Sequence, residues 1–145
     1  MCSSDLLAAA GLNRLGLSNI AKSFLDPDVM LPAVAQGAIG IERRSDDTHV
    51  AEILSAIHDT PTGHRLAAER AFLRGLDGSC ETPIAGLAEL NGLTLRLRGE
   101  VLRPDGSEAI NDDQSCPIED AEKIGTEMAI KILNNTPKNF FEWKN

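Results

Sequence analysis

Three stretches of this chain carry apolar residues at helical spacing, and between two of them the pattern switches to strict alternation. In "SDDTHVAEILSAI", Val50, Ile53, Leu54 and Ile57 fall at i, i+3, i+4 and i+7 behind Ser45, Asp46 and Asp47 as candidate caps, which predicts a helix. In "TPTGHRLAAERAFLRGLDG", Thr60 is the expected N-cap, Pro61 the first helical residue, Leu66, Leu73 and Leu76 the apolar stripe, and Gly75 or Gly78 the stop. In "PIEDAEKIGTEMAIKILNN", Ala121, Ile124, Met128 and Ile132 form a third stripe, with acidic residues in the first turn and Asn134, Asn135 and Pro137 closing it.

Between the second and third helices, "PIAGLAEL" runs into Asn91-Gly92, a favoured hairpin turn, and Leu93, Leu95 and Leu97 then alternate with Thr94, Arg96 and Arg98. "RPDG" marks the next turn, after which "SEAI" returns as a third strand. Residues 60 to 135 therefore read as helix, three-stranded antiparallel sheet, helix: an α+β unit whose sheet has one apolar face for a helix to cover.

The first 58 residues do not close a unit in the same way. Leu6 to Leu17 is a short apolar strand end or helix start bounded by Gly11 and Gly16, and Pro27 breaks the next stretch. Within "VMLPAVAQGAIGIERR", Ala38 to Ile41 is short, apolar and bounded, the signature of a strand. These pieces look like the remains of α/β layers whose partner strands are not among these residues. "MCSSDLLAAAGL" enters apolar sequence with no capping segment ahead of it, as expected of a chain cut inside a folded unit. Leu and Ile surface left uncovered in residues 1 to 58 would then favour self-association or partial disorder.

Composition narrows the field. The 145 residues are 42% hydrophobic but only 3% aromatic and lack Tyr, so the core must be aliphatic, with Phe24, Phe72, Phe140, Phe141 and Trp143 as the few large fillers. A net charge of -8 argues against nucleic acid, which needs clustered Lys and Arg on one face. Local clusters at Arg43 and Arg44, and at Arg96, Arg98 and Arg103, leave room for an anionic ligand, although each arginine taken singly reads as solvated surface. No apolar run approaches the roughly 18 residues of a membrane helix, and the amino end has no basic stretch followed by an apolar core, so the expected setting is cytoplasmic.

Three cysteines, at positions 2, 80 and 116, show neither CxxC spacing nor a paired framework, which suits a reducing compartment. Cys80 stands out in "GLDGSCETPIAG", a glycine-rich turn open to a bulky electrophile, and a thiolate is a strong nucleophile. Glu81 beside it would raise the thiol pKa, and a packed, inert cysteine remains the alternative. His49, His58 and His64 make no protease or zinc signature and read as surface or cap residues. Asp46 with Asp47, and Asp112 with Asp113, sit where caps and turns use carboxylates.

"LPAVAQGAIGIERR", "AERAFLRGLDGSCETPIAG" and "VLRPDG", in this order and at these separations, with "LAAAGLNRLGL" upstream, resemble the carboxyl-terminal half of the porphobilinogen deaminase (hydroxymethylbilane synthase) family over about Leu6 to Leu133. The resemblance implies a three-domain enzyme of haem and chlorophyll precursor synthesis. It joins porphobilinogen units into hydroxymethylbilane with release of ammonia and holds the oligopyrrole intermediates on a dipyrromethane cofactor. It implies that Cys80 carries that cofactor through a thioether, that Arg14 in "GLNRLG" binds substrate carboxylates, and that Gln36 and Gly37 line the cleft, with Gly11 at a helix start facing it. No metal is implied, and no catalytic residue falls within this half.

The family layout further implies that residues 1–33 end the second domain, 34–58 return to the first, and 59–145 form the whole third domain. Ser79 and Ala35 stand where the family usually or often shows Gly. The partner implied is the amino-terminal half, which holds the catalytic aspartate and most carboxylate-binding arginines, and the parent enzyme is expected to be a monomer. The competing expectation is a non-catalytic α+β module for a small ligand or a protein.

Overall fold

The computed structural model describes residues 6–78, 82–137, 139 and 140. It divides into two compact units, residues 1–30 and 31–145.

In the first unit, the segment expected as strand end or helix start is a short helix, α1 (Ala9–Arg14), followed by a single 3-10 turn at Ser18–Ile20. None of its described residues is buried, and Phe24, one of the expected core fillers, is exposed.

The second unit holds α2 (Thr48–Ser55), α3 (Thr60–Gly75), β1 (Ile84–Asn91), β2 (Thr94–Leu102), β3 (Ala109–Pro117) and α4 (Ala121–Asn135). The sheet is a β1-β2-β3 antiparallel meander, and with the two long helices it makes the expected α+β arrangement. Asp47 caps α2 by accepting the Val50 N–H at 3.0 Å. Asp59, one residue ahead of the expected Thr60, caps α3 by accepting the Thr62 N–H at 2.8 Å, with Pro61 in the first turn. A carboxylate one position earlier reaches the free N–H groups as well as a threonine hydroxyl would, and it also complements the helix dipole.

Cross-strand register builds the inner face in rows: Leu90, Leu95 and Cys116; Ala88, Leu97 and Gln114; Gly86, Gly99 and Asp112; Ile84, Val101 and Ile110. The glycine row exists because Phe72 of α3 lies on it. A methyl group at Gly99 would come within 2.6 Å of Phe72 Cζ and 2.8 Å of Met128 Sδ. Phe72, Leu95, Leu97, Val101, Met128, Ile132 and Phe140 are fully buried and form the centre of the core. Of the other expected aromatic fillers, Phe141 and Trp143 lie outside the described residues.

Four further expectations are corrected. The buried face of α3 is Ala68, Glu69, Ala71 and Phe72, with Leu76 beyond its end, while Leu66 and Leu73 are only partly buried. Small residues face α4 because the helices approach closely: a methyl at Gly125 would come within 2.1 Å of the Ala68 carbonyl oxygen. Leu93 is not an inward strand residue but the second residue of the hairpin turn and is exposed. Gly92, with φ of +60°, takes the first central position, as a type II′ turn requires, because Asn91 pairs directly with Thr94.

The third strand is much longer than "SEAI", and Asp112 and Asp113 lie in its middle instead of in a cap or turn. Asp113 faces outward and bonds Arg96, while Asp112 accepts from Lys131 Nζ of α4 at 2.6 Å, so polar residues continue the strand because each finds a partner there. Finally, Ala38–Ile41 form no strand. An extended run needs a neighbour for its backbone groups, and in the described part of residues 31–57 the sole bridge is Ala33 with Ala85.

Candidate functional site

Cys80 lies in the sequence between α3 and β1. Ser79, Cys80 and Glu81 lie outside the described residues, but both flanks are defined. The helix ends in a Schellman motif: the Asp77 N–H donates to the Arg74 carbonyl at 3.1 Å and the Gly78 N–H to the Leu73 carbonyl at 3.0 Å, with Asp77 at φ of +50°. On the far side, the Leu102 N–H donates to the Pro83 carbonyl at 3.0 Å, which ties the entry to β1 onto β2. The two flanks meet at Gly78, where a methyl group would come within 2.5 Å of Leu73 Cδ1 and 2.7 Å of Ile84 Cδ1. Both described flanks of Cys80 are therefore fixed to the core.

A second feature lies at the outer edge of β1. Residues 32–37 run along it: the Gly86 N–H donates to the Pro32 carbonyl at 3.0 Å, and Ala33 bridges Ala85. Gln36 and Gly37 come next in a tight turn, with the Gln36 N–H donating to the Ala33 carbonyl at 3.0 Å and the Ala38 N–H to that of Ala35 at 3.2 Å. Both Gln36 and Gly37 are exposed, and Ala35 (φ +62°) and Gly37 (φ +80°) have left-handed backbones.

Beneath this turn is Glu69, 6% exposed, whose Oε2 accepts the Ala35 N–H at 2.7 Å and whose Oε1 accepts the Ala88 N–H at 2.8 Å. Burial raises its pKa above the ordinary glutamate value; the two N–H groups and the charge of Arg65 pull the other way. Glu69 was missed in the sequence, although a charged residue among the alanines and Phe72 of "AAERAF" was the signal.

Arg14 is the exposed last residue of α1, and Gly11 lies in that helix with open space around it. They belong to the first unit, whereas Gln36, Gly37 and Glu69 belong to the second. The arginine clusters that left room for an anion are committed internally. Arg96 and Arg98 both reach Glu89, Arg96 also bonds Asp113, Arg103 pairs with Glu108 at 2.9 Å and lies over the Phe140 ring, and Arg44 pairs with Asp47. Cys116 is half-buried, and burial together with Asp120 and Glu119 pushes its thiol pKa up, away from reactivity. Among the described residues no group of three or more His, Cys, Asp or Glu is placed to hold a metal, and no helix is long and apolar enough to cross a membrane.

Residues 2–52 match the family model described as "Porphobilinogen deaminase, dipyromethane cofactor binding domain", and residues 64–134 match "Porphobilinogen deaminase, C-terminal domain". The chain belongs to the porphobilinogen deaminase family. It is 56% identical over 140 residues to a porphobilinogen deaminase of Paracoccus denitrificans, covering 97% of this chain and 45% of that protein. It is 46% identical over 128 residues to one of Maridesulfovibrio salexigens, covering 88% and 42%, and 44% identical over 143 residues to one of Macrococcus caseolyticus, covering 97% and 45%. The chain thus spans a little under half the length of these relatives. In family terms Gly11, Arg14, Gln36 and Gly37 fall in the match to the cofactor binding domain, and Cys80 and Glu69 in the match to the C-terminal domain.

Proposed function

We propose that these residues supply the cofactor anchor and part of the substrate cleft of a porphobilinogen deaminase, which condenses porphobilinogen into hydroxymethylbilane with release of ammonia. The observation that carries the reading is the pair of family matches in chain order, with Cys80 inside the second and the described residues on either side of it tied to the fold. Cys80 forms the thioether: its sulfur bonds the electron-poor methylene carbon left when a pyrrole precursor loses ammonia or water, and the thiol proton departs. When bound, dipyrromethane supplies the pyrrole terminus to which further units are joined.

The chain's own residues then have separate tasks. Arg14 pairs with acetate or propionate arms of the substrate, Gln36 and Gly37 line the cleft, and Gly11 gives backbone access beside Arg14. Residues 1–33, 34–58 and 59–145 belong to the second, first and third domains in that order. The catalytic aspartate comes from the amino-terminal half, so these 145 residues alone do not polymerise porphobilinogen. A cytoplasmic setting suits a thiol that must stay reduced until it is loaded.

The test is an intact-mass and turnover measurement on this chain joined to its amino-terminal half, beside the same protein with Cys80→Ser. The native version should carry a dipyrromethane mass on the Cys80 peptide and release bilane, and the serine version should do neither. Normal loading and turnover by the serine version would overturn the reading, as would bilane formation by the 145-residue chain alone at the rate of the joined protein.

A further inference from the structure

The buried carboxylate of Glu69 bonds two backbone segments that are far apart in sequence. Along the outer edge of β1, the N–H of Gly86 finds its acceptor in Pro32, and the next N–H on that edge, Ala88, finds its acceptor in Glu69 Oε1. The Glu69 side chain therefore takes over where the 32–33 bridge ends. Its other oxygen accepts from Ala35, the residue that turns the chain away from the sheet. Val34 completes the attachment, since a methyl at Gly86 would lie 3.1 Å from its Cγ2.

A left-handed alanine is strained relative to glycine, so this turn needs something to hold its shape. A charge-assisted bond from the Ala35 N–H is strong enough to do so. We propose that Glu69 is a positioning residue: it fixes the Ala35–Gly37 turn to the free edge of β1 and so sets the direction in which Gln36 and Gly37 are presented. That Gln36 and Gly37 line a substrate cleft rests on the function proposed above; that Glu69 fixes the turn does not.

The groups around the carboxylate are few. The turn faces it with the Ala35 N–H, β1 with the Ala88 N–H, and its own helix with Arg65. Helix α4 packs on α3 through Gly125 and Ala129, and its one ion pair to α3 among the described residues, Glu122 with Arg74, lies near the end of α3 and is exposed. Glu89, the charged residue of β1, is drawn instead toward Arg96 and Arg98.

Amide hydrogen exchange on the isotopically labelled 145-residue chain, without any pyrrole present, tests the role. In Glu69→Met, a side chain of similar length leaves both N–H groups without an oxygen to accept them. Exchange at Ala35 should then speed by about tenfold or more while Leu97, in the core, stays within about twofold of its native rate. Unchanged protection at Ala35, or acceleration at Ala35 and Leu97 in equal proportion, would overturn the proposal.

If the methionine variant does not fold, the native chain still decides. The Ala35 and Ala88 amide protons should shift together through one midpoint as pH is lowered, because one carboxyl titrates against both; separate midpoints would overturn the role. Neither readout involves the cofactor or substrate, so failure of the proposed function leaves this result standing, and the converse also holds.

Discussion

Val50, Ile53, Leu54 and Ile57, in and just after α2, make a stripe as regular as that of Ala121, Ile124, Met128 and Ile132 in α4, yet the two helices end in different surroundings. Every stripe residue of α4 is buried, together with Gly125 and Ala129. No residue of α2 is buried, and Ile53 and Ile57 are 59% and 70% exposed. Periodicity specifies which side of a helix is apolar, whereas burial depends on whether a complementary surface lies within reach. Helix α4 has one in Ala68, Ala71 and Phe72 of α3 and in the inner rows of the sheet.

The largest test of this contrast is Gly125→Ala. The added methyl would meet the Ala68 carbonyl oxygen at 2.1 Å and Ala71 Cβ at 2.9 Å, and neither can rotate away. Separation of α3 from α4 should destabilise the chain by about 3 kcal/mol or more, read as a lower urea midpoint. A midpoint equal to the native one would mean that the two helices are not locked at this contact.

A smaller effect is expected where α4 meets β3. Burial works to raise the Asp112 pKa, but hydrogen bonds from Gln114 and Lys131 outweigh it and hold the carboxyl below its ordinary value. The carboxylate form is thus the one favoured in the folded chain, so its contribution is present above about pH 4 and is lost as pH falls through the lowered value. Lys131 is about half exposed, which screens the pair. Asp112→Asn should therefore cost about 1 kcal/mol near pH 7 and flatten the acid side of the stability profile. An unchanged profile would remove Asp112 from the contacts that hold α4 to the sheet.

Legibility in the sequence divides along the same line. The α4 stripe, the Asn91-Gly92 hairpin and the turn at "RPDG" depend on residues close in sequence, and each formed within a residue of its expected place. Ala38–Ile41 did not pair, because a strand is decided by its neighbour, and β3 formed through "NDDQSC" because Arg96 and Lys131, remote in sequence, supply partners. For the site, Cys80 and the "AQG" turn could be singled out from their motifs. Glu69 could not be given a task, since its acceptor role depends on Ala35 and Ala88 arriving from separate segments.

The smallest expected effect lies on α2, where the contrast is sharpest. Ile53→Ser removes an apolar side chain that is already largely in water, so stability of the 145-residue chain should change by about 0.5 kcal/mol or less. The same substitution also removes apolar surface that favours association. Under the proposed function, the stripe is the side of α2 that the amino-terminal half would cover, and in the joined protein Ile53→Ser should then cost roughly 1–3 kcal/mol. Urea midpoints for the pair of variants in both lengths of chain decide the matter. Equal and small losses in both would show that this stripe has no surface to meet, while a loss confined to the joined protein would show that α2 differs from α4 only in where its partner comes from.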